Sequence, residues 1–367
     1  MEIQVERDTF LTALGQVQGV VEAKKTLAIL SHLLLETRDG QILVFGTDLD
    51  VGIQSTLSGE VLQPGAITLP AKRLYDITRE LPPAPIHLKQ VEDHVVQITC
   101  ERSTFHVKGL AKEEFPTLPV ATKGPRVTLS RRGLKEMIHR TLFAVSTDQT
   151  RPTLNGAMLQ IGPDDARMVA TDGHRLALAT APRAEVQGEG ISEALIPRKA
   201  LLELGKLLKD EEGEAQVHAV DNQLIFILDR NILTARLLEG QFPNYQQVLP
   251  TTSSAGAMIR KEDLLGALRR TSTIVGDRAT PTILELKTGR LVVSCSNADL
   301  GDAREEILIE YRGADLRVGF NARYIMDFLG VVNEAEVTLH LNDPLSPALF
   351  RPKQGEGYRC VIMPMRI

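Results

Sequence analysis

In the stretch MVATDGHRLALA (Met168–Ala179) a carboxylate, a glycine, an imidazole and a guanidinium follow one another between two apolar runs. Asp172 and His174 are the residue types that perform general acid–base catalysis, a carboxylate orienting an imidazole that moves a proton. Such a pair needs a nucleophile and a charge-stabilising partner within reach. The corresponding turns elsewhere in the chain, GTDL (46–49) and SNADL (296–300), lack the histidine, and no partner nucleophile is evident. A non-catalytic role is therefore expected. The other chemistry-bearing types point the same way. The eight histidines stand singly, with no His-x-x-x-His pair, and Cys100, Cys295 and Cys360 are odd in number and far apart. That pattern predicts neither a metal site nor a disulfide frame, and fits reduced thiols in the cytoplasm. The phosphate-loop pattern is also absent, so no cofactor is expected.

The elements that hold these residues repeat. The turn beginning at Thr47 recurs at Thr171 and Ser296, at intervals of 124 and 125 residues. A second marker follows each time, in TLPAKRLYDI (from Thr68), LIPRKALLEL (from Leu195) and GFNARYIMDF (from Gly319). A third, EEFPTLP (from Glu113) and GQFPNYQQVLP (from Gly240), closes the first two copies, and the last copy ends in VIMPMRI. Equal spacing of independent markers predicts three copies of one domain, at 1–121, 126–251 and 257–367. The joining segments are the short linkers ATKGPRV and TTSSAGAM.

Each copy divides again into two units of strand, helix and three strands, an α+β domain with both helices laid on antiparallel sheet. Phe10, Leu14, Val17 and Val21 form one helical stripe, and Leu74, Ile77 and Leu81 another after Pro70. The six helices are expected at 7–21, 71–80, 131–140, 198–209, 260–270 and 322–329. No apolar run has the length of a membrane span, because Ser31 and His32 interrupt LAILSHLLLE, and MEIQVERD lacks the apolar core of a secretory signal.

The net charge of −5 argues at first against a polyanionic partner, but the charge is segregated. The six helices carry 17 Lys and Arg against 8 Asp and Glu, leaving −14 on the strands and loops. Solvated charged faces are the ordinary explanation of such helices, yet they would not repeat the bias from copy to copy. A polyanion would be drawn to the helices and repelled by the outer surface. Without stacking aromatics or base-reading motifs, contact would be with phosphates, independent of sequence and sensitive to salt.

Over its full length the chain resembles the bacterial sliding-clamp family, the β subunits of DNA polymerase III. GTDL, ATDGHRLA, PRK, FPNY…VLP and the terminal VIMPMRI carry the resemblance. It implies a non-enzymatic processivity factor of the DNA-clamp fold, in which two chains close head to tail into a ring of six domains. Helices would line a hole around duplex DNA, with a continuous sheet outside. Its partners would be double-stranded DNA, the replicative polymerase subunit, the clamp loader, and other polymerases and repair proteins bound through short peptides. No membrane is involved, and the expected location is the cytoplasm, at the nucleoid.

The resemblance also assigns residues. Thr171, Gly173, His174, Arg175 and Leu176 would form one wall of a peptide groove, Leu154, Pro243 and Val248 its apolar floor, and Val361, Met363, Pro364, Met365 and Arg366 the flanking tail. The plainer alternative has Gly173 making a turn that His174 caps, with the methionines in the core. Lys24, Lys25 and Arg198 would approach DNA, joined by Gln149 and Arg151 from the loop STDQTRPTLNG. Phe105 and Val107 would meet Ile274 and Val275 of the other chain. Pro152 and Thr153 stand where family members often carry aromatics, and Ala28 where they carry proline. The rivals to this reading are an acid–base enzyme built on Asp172 and His174, and a monomeric repeat scaffold.

Overall fold

Among the described residues, six segments with apolar residues at helical spacing become six helices: α1 (Arg7–Gln18), α2 (Ala71–Glu80), α3 (Arg131–Thr141), α4 (Arg198–Leu207), α5 (Lys261–Thr271) and α6 (Ala322–Val331). The computed structural model describes all residues except 22–26, 118–125, 164, 183–184, 188–190, 210–211, 251–254, 275–279 and 355–356. The two linkers lie partly outside the described residues. One strand precedes every helix and three follow it, with two short additions at Glu60–Gln63 and Glu185–Gln187. The largest departure from the sequence expectation is α1, which ends three residues early. Gly19 stands at its C-cap, and a Cβ there would meet the Glu203 carboxylate of α4.

The backbone forms two compact units, one of residues 1–132 with 183–237 and the other of residues 133–182 with 238–367. In the first unit α1 buries Phe10, Ala13, Leu14 and Val17. It sits so close to strand Gln41–Thr47 that a Cβ on Gly46 would lie 2.5 Å from Val17 Cγ1. The glycine of GTDL is thus a packing residue. Each such fully buried Leu, Val or Phe contributes about 1.5–3 kcal/mol relative to exposure.

The strands do not pair as the half-copies read along the chain. Strand Glu2–Glu6, which leads into α1, pairs with Pro85–Glu92, which follows α2. Strand Ala66–Pro70, which leads into α2, pairs with His32–Arg38, which follows α1. The halves of the first copy exchange their leading strands. The third copy does the same: Ala255–Arg260 pairs with Glu336–Leu341, and Leu316–Phe320 with Thr282–Lys287. Exchange places strands of both halves in each sheet, so neither half completes its hydrogen bonding alone.

Copies are joined by further antiparallel pairing. In the first unit, Asn231–Arg236 pairs with Val51–Leu57 in the middle of a nine-stranded sheet. In the second, Arg175–Pro182 pairs with Tyr358–Ile362. Two smaller sheets end in strands with one partner each: Ser103–Lys108 closes a five-stranded sheet of the first unit, and Gly301–Leu308 a four-stranded sheet of the second.

All three cysteines are free and buried. Burial raises each thiol pKa, that of Cys360 to about 12. The native thiol therefore keeps a proton that the unfolded one loses, and its contribution to stability is lost as pH rises from about 9 toward about 12. At pH 8 the native protein is expected to leave Ellman's reagent unreacted over minutes and to release three equivalents in guanidinium. Rapid labelling of native Cys360 would contradict this burial.

Candidate partner-binding site

Thr171 and Arg175 lie on adjoining strands of a hairpin, and the turn between them is built from its own side chains. Asp172 Oδ1 accepts from the backbone N–H groups of His174 (2.9 Å) and Arg175 (3.0 Å), while Thr171 Oγ1 donates to Arg175 O and accepts from Gly173 N–H. Gly173 takes φ +89°, a left-handed conformation that suits glycine. Asp172, not His174, is thus the capping residue. His174 is exposed, and its ring stacks 6.4 Å from Tyr324. With one carboxylate oxygen held by the backbone and the other by Arg175, Asp172 has the environment of a structural group.

Arg175 is the centre of the site, although its side chain is only 9% exposed. Nη1 donates to Asp327 Oδ2 (2.6 Å), Nη2 to Phe143 O (2.7 Å) and Nε to Asp172 Oδ2 (3.2 Å). The guanidinium also lies over the rings of Phe143 and Tyr324, at 5.0 and 4.4 Å from their centroids. The planar fork thereby ties the turn to α6, which supplies Tyr324 and Asp327, and to the segment after α3. Arg175 was expected in a groove wall. It is a pillar of the turn, its donors spent within the protein. Phe143, Tyr324 and Asp327 were not anticipated, and only the aromatic in GFNARYIMDF offered any signal.

The C-terminal tail is brought alongside by strand pairing. Leu176 faces Val361 in register, Met363 N–H donates to His174 O (2.8 Å), and Met365 N–H to Gly319 O (2.8 Å). Leu176 and Val361 are buried, Pro364 and Met365 half-buried, and Arg366 exposed. Met363 is 39% exposed, so it presents a polarizable side chain outward and not to the core. Leu154 is buried beneath Ser146 of the preceding loop, its carbonyl accepting from Ser146 N–H. Pro243 is exposed and Val248 39% exposed, on a segment fastened by the Tyr245 hydroxyl, which donates to Gln160. The expected groove residues therefore divide into a buried support (Thr171, Arg175, Leu176, Leu154, Val361), the half-buried Pro364 and Met365, and an exposed apolar and polar rim (Gly173, His174, Pro243, Val248, Met363, Arg366).

The candidate nucleic-acid residues are more scattered. Lys24 and Lys25 lie outside the described residues, as does Val275. Gln149 is exposed, and Arg151 is exposed but bound to Asp148 Oδ2 at 3.0 Å. The Asp148 carboxyl is held below its ordinary pKa, first by hydrogen bonds from Thr150 and then by Arg151. Arg198 is half-buried, with Nε lacking a hydrogen-bond partner among the described residues.

Much of the helical positive charge is already neutralised. Arg131 pairs with Asp229, Arg140 with Glu136, Lys199 with Asp48, Lys206 with Glu203 and Arg270 with Glu305. Among the described residues, Lys72, Arg73, Arg198, Lys209 and Arg269 form no ion pair. Three of these five sit in the first turns of α2 and α4, where no acidic residue is present. Cations there oppose the helix dipole, so local stability does not account for their placement.

At the supposed ring contact, Phe105 is 39% exposed but Val107 only 6%, and Val107 is committed to its own sheet. Ile274 is half-buried at the end of a 3₁₀ turn that follows α5.

The turn of Asp172 has two structural counterparts. Asp48 Oδ1 accepts from the N–H groups of Asp50 and Val51, and Asn297 Oδ1 from those of Asp299 and Leu300. The three markers read in the sequence are thus one turn built three times, and only the middle one carries a histidine.

Three tandem α+β copies on antiparallel sheets, each with the same Asx turn, have the architecture of a clamp-type protein. Sequence models for the DNA polymerase III beta subunit match in tandem, the N-terminal domain over residues 1–119, the central domain over 128–244 and the C-terminal domain over 246–366. The chain is 33% identical over 368 residues to the beta sliding clamp of Pseudomonas putida, covering all of both chains. Among solved structures it is similar to the DNA polymerase III subunit beta of Pseudomonas aeruginosa (TM-score 0.93, 32% identity) and to the sliding clamp of Bartonella birtlesii bound to griselimycin (TM-score 0.95, 35% identity), each covered in full. The chain belongs to the family of DNA polymerase III beta subunits, the bacterial sliding clamps, which are non-catalytic processivity factors of DNA replication.

Proposed function

We propose that two chains, each of three clamp domains at about 1–121, 126–251 and 257–367, close head to tail into a ring that encircles duplex DNA in the cytoplasm, at the nucleoid. The observation that carries this reading is the pair of open sheet edges. Joining Ser103–Lys108 of one protomer to Gly301–Leu308 of the other would make a nine-stranded sheet, the size of the one already present in the first unit. Both edges expose apolar side chains, Phe105 at 39% and Leu308 at 81%, which an unpartnered edge would be expected to avoid. Phe105 on the first edge, backed by the buried Val107, would meet Ile274 and Val275 of the other protomer.

Grip on DNA is topological. Lys24, Lys25, Gln149, Arg151 and Arg198, with the unpaired cations of the helices, supply diffuse phosphate attraction that permits sliding. The surface around Gly173, His174, Pro243, Val248, Met363 and Arg366 receives short extended peptides of the replicative polymerase subunit, the clamp loader and repair proteins. Apolar pockets with a polar rim suit that task. Griselimycin, to which the Bartonella birtlesii relative is bound, is a ligand this surface would receive. Tethering then raises the local concentration of polymerase at the primer end.

The test is retention on DNA of different topology. Protein placed by a cognate clamp loader on nicked circular plasmid is expected to survive a salt wash and to be lost only when the plasmid is cut. Equal salt-driven loss from circle and line would mean ordinary electrostatic binding and would remove the ring.

A further inference from the structure

The repeat that frames the proposed peptide surface recurs in the first unit. In the second unit, Met158, Val169, Leu178 and Arg359 stand opposite one another across four neighbouring strands. In the first unit, Leu34, Phe45, Gln54 and Ile232 stand in the same order. The adjoining row of the proposed surface, Thr171, Leu176 and Val361, has its counterpart in Thr47, Gly52 and Thr234. The stretch GQFPNYQQVLP, which supplies Pro243, likewise has a counterpart in EEFPTLP, which supplies Phe115 and Pro116.

Here the strands face a cavity of about 380 Å³, within the range of ligand sites. Leu34, Phe45, Phe115 and Ile232 line it. Phe45 and Phe115 belong to one buried apolar cluster, while Leu34 and Ile232 are half-buried. The polar groups of the lining carry both signs. Glu36 is spent on Arg38 at 2.9 Å, and the adjacent Lys112 and Glu113 are exposed, with no ion pair among the described residues. Gln54 is half-buried, and its amide has no hydrogen-bond partner among the described residues. A phosphate or a polyamine finds no net charge to attract it. A peptide backbone, with donors and acceptors along its length, matches the Gln54 amide and the mixed rim. The strands carrying Phe45 and Gln54 end in the turn of Asp48, which leaves Leu49 54% exposed at φ +81°, where the second copy has Gly173. Neither packing nor turn preference explains a leucine held in the left-handed region with its side chain in water.

We infer that this cavity is a second docking site on each chain, for a short, uncharged, extended peptide of another protein. Apolar side chains at alternate positions of the peptide enter over Phe45, Phe115 and Ile232. Its backbone bonds the Gln54 amide, and a further apolar side chain covers Leu49. The site parallels the peptide surface proposed above but shares no residue with it. One chain can therefore hold two partners at once, one in each unit.

The probe is the pentapeptide LSFSL, blocked at both ends and carrying a benzophenone on its central side chain. When extended, it places its three apolar side chains on one face. Its photo-adducts on the full-length protein are mapped by mass spectrometry and expected within residues 112–117 and 230–236. Ile232→Glu should cut these adducts at least about fivefold and leave any around Met363 within about twofold of wild type, since a charge in an apolar lining acts locally. Leu49→Gly suits the conformation of the turn, so it should keep the far-ultraviolet spectrum and raise the half-labelling concentration about threefold. That variant keeps the test decisive should Ile232→Glu fail to fold. Adducts around Met363 alone remove this inference and leave the surface proposed above. Adducts in the first unit that both variants weaken uphold it, whatever happens at Met363. No adducts in the first unit, or adducts there that neither variant changes, overturn it, as does far stronger labelling by the charged probes LEFEL or LKFKL.

Discussion

Replacing Arg175 by alanine is expected to destabilise the second unit by about 3 kcal/mol, the cost of breaking a buried ion pair from one side. The side chain removed is 9% exposed, and Asp172 and Asp327, 17% and 31% exposed beside it, would lose their cation. The carbonyl of Phe143 would lose its donor, and Phe143 and Tyr324 the cation between them. Because Asp172 also shapes the turn that presents Gly173 and His174, the griselimycin affinity proposed for this surface should fall at least tenfold. Arg175→Lys keeps the charge but not the planar fork, so it should recover part of the stability and little of the affinity. Thermal melts and calorimetric titration read the two effects separately. A melting temperature within a degree of wild type would show that the pillar bears no weight.

The second large effect concerns the protomer seam. Charged residues at Ile274 and Val275, as in Ile274→Asp with Val275→Asp, are expected to yield a folded monomer. Ile274 is half-buried at the end of its turn, so its charged replacement can reach water in the free chain but not in a closed seam. Light scattering should report the mass of one chain, 40.4 kDa, with an unchanged far-ultraviolet spectrum. Retention on circular plasmid should vanish with it. A variant that still ran as a dimer would show that these side chains do not form the contact.

Periodicity and internal repetition made much of this fold legible. The stripes of Phe10, Leu14 and Val17 and of Leu74 and Ile77 located helices to within a few residues, because helical spacing is a local property. The exchange of leading strands was not legible: nothing in Glu2–Glu6 specifies Pro85–Glu92 as its partner, since pairing at such separation is decided by tertiary packing. At the site, the turn could be located from its repeated sequence, but not the role of Arg175. An arginine beside an aspartate looks alike whether it faces solvent or crosses to a helix 152 residues away. The charge count misled in a similar way. Arg131, Arg140 and Arg270 add to the total but are answered by Asp229, Glu334 and Glu305, whose proximity exists only in the fold.

The exchanged strands also dictate an order of events at the ribosome. Strand Glu2–Glu6 emerges first, yet Pro85–Glu92 comes about eighty residues later, about 4–16 s at ordinary rates of synthesis. Until then the nascent first half can form α1 and its three following strands, but its leading strand has no place in their sheet. The junction between Val51–Leu57 and Asn231–Arg236 waits longer still. Synthesis therefore passes through stages in which edges that end up paired stand open, and a nascent copy becomes safe from intermolecular pairing only once its second helix and last strands have left the tunnel.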